Sequence, residues 1–182
     1  MKNIKTFNQL FESVVDYQSL CRYENKEKIK KLLDSGFDIN TIIYDDKTLL
    51  YLSAEYDNGN LKFLLENGAD PNISKNNNWP LIRAIENIQD NNTIQLLEAG
   101  ANINVRGKAL KKSPLLYSTN WLKPTELTYI LIDKGADWNL QDENGDVFLD
   151  YLGDRYKKEM KEKYPTKYKD AENEIFKNNF NI

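Results

Sequence analysis

Residues 64–72 read LLENGADPN, and the chain repeats that text with small changes three more times: LLDSGFDIN at 32–40, LLEAGANIN at 96–104 and LIDKGADWN at 131–139. Each copy has an aliphatic pair, two polar or small residues, a glycine, a short turn and an asparagine. The aliphatic pair predicts the last turn of a helix. The glycine predicts its stop, because a left-handed backbone angle ends a helix there without a Cβ clash. Gly36, Gly68, Gly100 and Gly135 are 32, 32 and 35 residues apart, a period that marks stacked helical units.

A second signal follows each glycine by about 11–13 residues: TLLYLSA from Thr48, WPLIRAI from Trp79, SPLLYST from Ser113 and VFLDYLG from Val147. In the third, Ser113 can cap the free amides of a helix start, and Pro114 at the first helical position loses no hydrogen bond. Each unit therefore reads as a loop, a short helix, a second helix and a glycine stop. Before the first unit, Thr6 and Gln9 suit a capping box, with Phe7, Leu10, Phe11, Val14 and Val15 on one helical face. That face is expected to pair with Ile29, Leu32 and Leu33. After Gly153 the text turns charged, and Pro165 divides it into two helical stretches expected to pack through Tyr164, Ile175 and Phe176, with a partly disordered tail as the alternative.

These phased starts and stops resemble the ankyrin repeat over about residues 25–153. The resemblance implies an all-α solenoid of stacked helix-loop-helix units with an N-terminal helical cap and a C-terminal helical extension. On that reading residues 1–155 form the repeat domain, with cap helices at about 6–35 and repeats at about 36–67, 68–99, 100–134 and 135–155, and 156–182 form the extension. One departure is systematic. The family's His in Thr-Pro-Leu-His is replaced by Tyr51, Ile82, Leu116 and Asp150, which removes the hydrogen bonds that His makes between loops.

Composition narrows the chemistry. At 182 residues the chain can bury roughly two-thirds of its unfolded surface without a metal or disulfide staple. Its net charge of -3 gives no reason to expect nucleic acid as a partner. It has no His, so the commonest general base and metal ligand is missing. Cys21 stands alone and reads as a buried structural thiol. The start MKNIKTFNQLFESVVDY places charges and amides where a secretory signal needs an apolar core, so a cytoplasmic, reducing setting and no membrane partner are expected. Asp142-Glu143-Asn144-Gly145-Asp146 resembles the start of a calcium loop, but its Gly comes too early and Gly153 stands where the bidentate Glu belongs. Asp146, Asp150 and Asp154 recur every four residues and would line one helix face as a solvated stripe. No catalytic, cofactor or metal residue is assigned.

The resemblance places partner contacts on the loop fingers before each inner helix and on that helix's far end. Carried over, these are Tyr44, Asp45, Lys47, Glu55 and Tyr56, then Asn76, Asn78, Glu86 and Asn87. The next units give Lys111, Lys112, Asn120 and Trp121, then Glu143, Asn144, Asp146, Asp154 and Arg155. The implied function is non-catalytic protein binding through this concave face, by a chain monomeric when free. It would act as a bacterial inhibitor or immunity protein that neutralises a toxin, or alternatively as a scaffold or effector that recruits cellular or host proteins without inhibiting them. Lys62, Gln95 and Thr128, on the outer helices, are expected to lie outside the contact.

Overall fold

A computed structural model describes residues 16–120 and 123–180. The capping box at Thr6 and Gln9, the apolar face from Phe7 to Val15, and Trp121 lie outside the described residues. The chain divides into two compact units, residues up to 102 and residues from 103 onward.

Among the described residues of the first unit six helices alternate: α1 (Tyr17–Arg22), α2 (Lys26–Asp34), α3 (Leu49–Ser53), α4 (Asn60–Glu66), α5 (Pro80–Glu86) and α6 (Asp90–Glu98). The inner helices α1, α3 and α5 pack in succession, and α4 packs on both α3 and α6. Starts follow the expected signals. Thr48 Oγ1 accepts from the Tyr51 amide at 3.1 Å, and Pro80 opens α5. Stops are fixed by the repeated text itself. Gly68 has φ 91° and its amide donates to Leu65, while the Ala69 amide donates back to Leu64 at 3.0 Å. This is a Schellman cap, so the aliphatic pair supplies both the carbonyls that close the helix and, through Leu64, a fully buried core residue. Gly36, Gly100 and Gly135 repeat it.

The second unit contains α7 (Pro114–Tyr117), α8 (Glu126–Asp133), a 3-10 turn (Phe148–Tyr151), α9 (Asp154–Lys163) and α10 (Pro165–Phe180). Between α7 and α8 runs a two-stranded antiparallel hairpin, β1 (Thr119–Asn120) with β2 (Lys123–Pro124). This insertion accounts for the 35-residue spacing, and it corrects the reading of Asn120 as the end of an inner helix: Asn120 is strand. Thr125 Oγ1 accepts from the Thr128 amide at 3.3 Å while Thr128 Oγ1 accepts from the Thr125 amide, a capping box that restarts the helix.

Three expectations change at this stage. Phe176 is 55 % exposed, and among the described side chains of the last two helices Met160, Tyr168 and Ala171 are the buried ones. Asp146, Asp150 and Asp154 do not share a helix face: Asp146 lies in a turn, Asp150 accepts the Val147 amide at 3.0 Å, and Asp154 opens α9. Thr128 is fully buried and bonds the Ser118 carbonyl at 2.9 Å, so it is no outer-surface position.

Candidate functional site

The loops between units are held in register by the asparagine that ends each repeated stretch. Asn40 Oδ1 accepts from the Asp70 amide at 2.9 Å, and Asn40 Nδ2 donates to Gly68 O. One repeat later Asn72 Oδ1 accepts from the Asn102 amide at 2.8 Å and Nδ2 donates to Gly100 O at 3.0 Å. In the second unit Asn104 Oδ1 accepts from the Asp137 amide at 3.0 Å. An amide carries a donor and an acceptor together, so one side chain satisfies both partners of the next loop. These bonds do the work that the missing His leaves undone. Of the residues at the His position, Ile82 and Leu116 are buried and Tyr51 is half-buried.

The other edge of the first unit is tied by a second amide series. Asn60, fully buried, donates to Cys21 O at 3.1 Å and Tyr23 O at 2.6 Å. Asn92 donates to Ala54 O at 3.2 Å and Tyr56 O at 2.9 Å. The loops after α1 and α3 are thus clamped by the outer helix of the next repeat, α4 and α6.

Between these edges lies the inner-helix face of the first unit. Arg83 Nη2 meets Glu55 Oε2 at 2.5 Å, and its guanidinium lies 5.7 Å from the Tyr51 ring centre. Arg22 stands 5.9 Å from the ring of Tyr56. Glu86 is exposed and Asn87 half-buried, with Asn87 Nδ2 turned back to Arg83 O at 2.8 Å. Of the residues read from the sequence, Glu55, Tyr56, Glu86 and Asn87 therefore come together on one face.

The fingers of the first unit turn through paired left-handed residues, Asp45 and Asp46, then Asn76 and Asn77, with φ of 52–59°. Asn and Asp tolerate this conformation better than other side chains. The fingers bond each other: Lys75 pairs with Asp46 at 2.7 Å, Asn76 with Asp46, and Asn78 Nδ2 with Asp45 O at 3.1 Å. Asp45 also pairs with Lys47 at 3.5 Å. Tyr44 opens this turn by its backbone. Asn76 and Asn78 thus hold one finger against the next.

In the second unit the finger residues are similarly engaged. Lys112 Nζ sits 4.6 Å from the Tyr151 ring centre. Burial alone would raise Asp142, but the Tyr151 hydroxyl at 2.7 Å, the Asp146 and Asn144 amides and Lys112 together hold its carboxyl below the usual range. The residues once compared with a calcium loop therefore form a turn closed on Asp142. Glu143, Asn144 and Asp146 are exposed around it, as are Lys111, Asp154 and Arg155. The Glu143 amide donates to Leu110 O at 2.8 Å, joining this turn to the Lys111 finger. The side chain of Asn120 and all of Trp121 lie outside what is described.

Sequence reasoning passed over Tyr51 and Arg83. Their signal is present: an arginine inside WPLIRAI interrupts a run of buried aliphatics, where only the open side of the inner helix can hold it. Burial pushes the Cys21 thiol up to about 11, and Sγ donates to Leu49 O at 3.6 Å, as a structural thiol should.

Residues 19–107 match the family model described as ankyrin repeats (3 copies). None of the curated proteins matches the chain. Among the described residues, no helix is long and apolar enough to cross a membrane.

Proposed function

The chain is an ankyrin-repeat protein and its repeats are a protein–protein interaction module, and from that premise we propose that it acts by covering a partner protein, as a cytoplasmic inhibitor of the immunity-protein kind. The observation that supports this reading is the face of Tyr51, Glu55, Tyr56, Arg83 and Glu86. Its side chains come from successive repeats, yet the amide cross-ties on either side fix their spacing before any partner arrives. A preorganised row loses little conformational entropy on binding, and a row of aromatic and charged groups fits a protein surface better than a small-molecule pocket.

The test is affinity capture with the full chain from a bacterial lysate, followed by titration against the captured protein. An inhibitor abolishes the partner's activity at a one-to-one ratio, whereas a scaffold leaves it intact. Tyr56→Ala should weaken the complex by about 1–3 kcal/mol while Lys62→Ala, on an exposed outer position, changes nothing measurable. Equal binding by parent and Tyr56→Ala, with loss on Lys62→Ala, sinks the inner-face reading.

A further inference from the structure

Ile88 stands where its chemistry does not fit. Its φ is 57°, in the left-handed region where a β-branched side chain clashes with its own backbone, and its side chain is 83 % exposed. In the preceding repeat the left-handed residue of the same loop is Gly59, at φ 77°, which meets no such clash. Folding therefore gains little from the Ile88 side chain: its backbone angle is strained and a large apolar group is left in water.

The surroundings of Ile88 say what it suits. Asn92 holds its loop against Tyr56 O, Asn91 Nδ2 reaches Asp57 Oδ2 at 3.1 Å, and Asn60 ties the same edge to Tyr23 O. Tyr23, Tyr56 and Ile88 thus belong to three successive loops of one edge, with Tyr23 itself 62 % exposed. The charges at this edge are uneven: Arg22 lies against Tyr56 and Tyr23, and the Ile88 end is acidic. Glu24 pairs with Lys26 and Glu55 with Arg83, but Asp57, Glu86 and Asp90 enter no ion pair among the described residues, and all three are exposed.

We propose that this edge of the first unit, with Ile88 as anchor, Tyr56 and Tyr23 beside it and Asp57, Glu86 and Asp90 as its charged collar, seats a segment of the partner protein in which an aliphatic or aromatic residue is flanked by lysines or arginines. The apolar group covers Ile88, and the flanking cations meet carboxylates that close no ion pair among the described residues, Glu86 feeling Arg83 only at longer range. Acidic partners are repelled by the same collar. The inference rests on the protein-binding reading and adds to it the place and the chemistry of the contact.

The experiment is selection of a random peptide display library on the full chain, with sequencing of enriched clones and measurement of the best synthetic peptide by fluorescence anisotropy. Enriched sequences should carry one apolar residue between basic ones, and binding should weaken steeply with added salt. Ile88→Gly should weaken that peptide at least about tenfold, while its melting temperature is equal to or above the parent's, so that lost binding is not lost folding. Ile88→Asn, polar but tolerant of the left-handed angle, should behave the same way. The proposal is overturned if no sequence enriches, if enriched sequences lack basic residues, or if they bind Ile88→Gly as tightly as the parent. Peptides insensitive to Ile88→Gly but lost on Arg83→Ala would overturn it while leaving the protein-binding reading intact.

Discussion

In the first unit the side-chain bonds that join one repeat to the next are made largely by neutral amides: Asn60 and Asn92, buried, on one edge, and Asn40 and Asn72, nearer the surface, on the other. In the second unit the outer helices are joined through tyrosine hydroxyls and carboxylates. Tyr129 donates to Glu159 across α8 and α9, and Tyr164 donates to Asp133 at 2.9 Å, with Lys163 lying 4.2 Å from the Tyr129 ring centre. The same repeat architecture is thus tied by two chemistries that respond differently to substitution, to pH and to salt. An amide tie is insensitive to pH and, when buried, costly to remove. A phenol–carboxylate tie is more exposed, contributes less, and fails outside the range in which its protonation holds.

The strongest way to break the comparison is to delete an amide tie. Asn92→Ala leaves the carbonyls of Ala54 and Tyr56 without their donor in a site only 1 % exposed. Each unmet buried group costs about 1–3 kcal/mol, so the variant should lose about 2–4 kcal/mol of stability by urea denaturation. Hydrogen exchange should locate the loss in residues up to 102. A loss below about 1 kcal/mol would mean that the first unit does not depend on this tie.

The next effect belongs to the stops that both units share. A Cβ built on Gly68 or Gly135 meets nothing within 4 Å, so the cost of substitution comes from the left-handed backbone alone. Gly68→Val and Gly135→Val should each cost about 1–3 kcal/mol. Asn at either position should recover most of that. Similar losses for Val and Asn would show that the space, and not the backbone angle, is what the glycine supplies.

Both the stops and the starts were legible in the sequence, because a Schellman cap and an N-cap are local: LL, Gly, Thr48 and Ser113 act within a few residues of themselves. The ties between repeats were not. The recurring asparagine was visible as part of the text, but its role needs the next loop at hydrogen-bonding distance, about 30 residues away. The replaced His suggested a missing bond, and the structure supplies that bond from a different position. The candidate site was half legible for a similar reason. Glu55, Tyr56, Glu86 and Asn87 occupy corresponding places in each repeat, whereas Arg83 and Ile88 are exceptions to the repeat and no family pattern points to them. Phe176 illustrates the limit at the far end: Tyr164 packs edge-on against Trp138 as expected, but apolar residues past Pro165 could pack in several ways, and the helix that forms there buries Tyr168 and Ala171 instead of Phe176.

Titration sharpens the contrast without changing a residue. Burial first, then the bond to Asp133, pushes the Tyr164 hydroxyl up to about 12, and Tyr129 and Tyr151 are raised by burial and by Glu159 and Asp142. A group raised in the folded state contributes its stability fully below its free-chain value, about 10 for tyrosine, and loses it as pH rises through the folded value. Asp142 is depressed, so its contribution is complete above about 3.9 and is lost as pH falls through its folded value. The second unit should therefore loosen between about pH 10 and 12 and again below about pH 4. In the first unit Tyr51 is also raised by burial, but its ring faces Arg83 and no tie between repeats passes through it. Hydrogen exchange at pH 7 and pH 10.5 should show faster opening in residues from 103 onward, beyond the intrinsic rate change, and Tyr129→Phe with Tyr164→Phe should shrink the difference, leaving the part that Tyr151 carries through Asp142.

The smallest effect tests the one close ion pair on the first unit's inner face. Arg83 and Glu55 lie 2.5 Å apart with side chains 30 % and 27 % exposed, so water reaches both and screens their attraction. Burial alone would depress Arg83, yet Glu55 and the Tyr51 ring hold its guanidinium above the ordinary value. A double-mutant cycle of Arg83→Ala and Glu55→Ala should give a coupling of about 0.2–1 kcal/mol, shrinking as salt is added. That is well under the cost of deleting Asn92, as it must be if buried amides and not surface charges stack the first unit. The pair's larger role is then to orient groups on an already rigid face. A coupling above about 2 kcal/mol would reverse that ranking, and the first unit would depend on charge much as the second does.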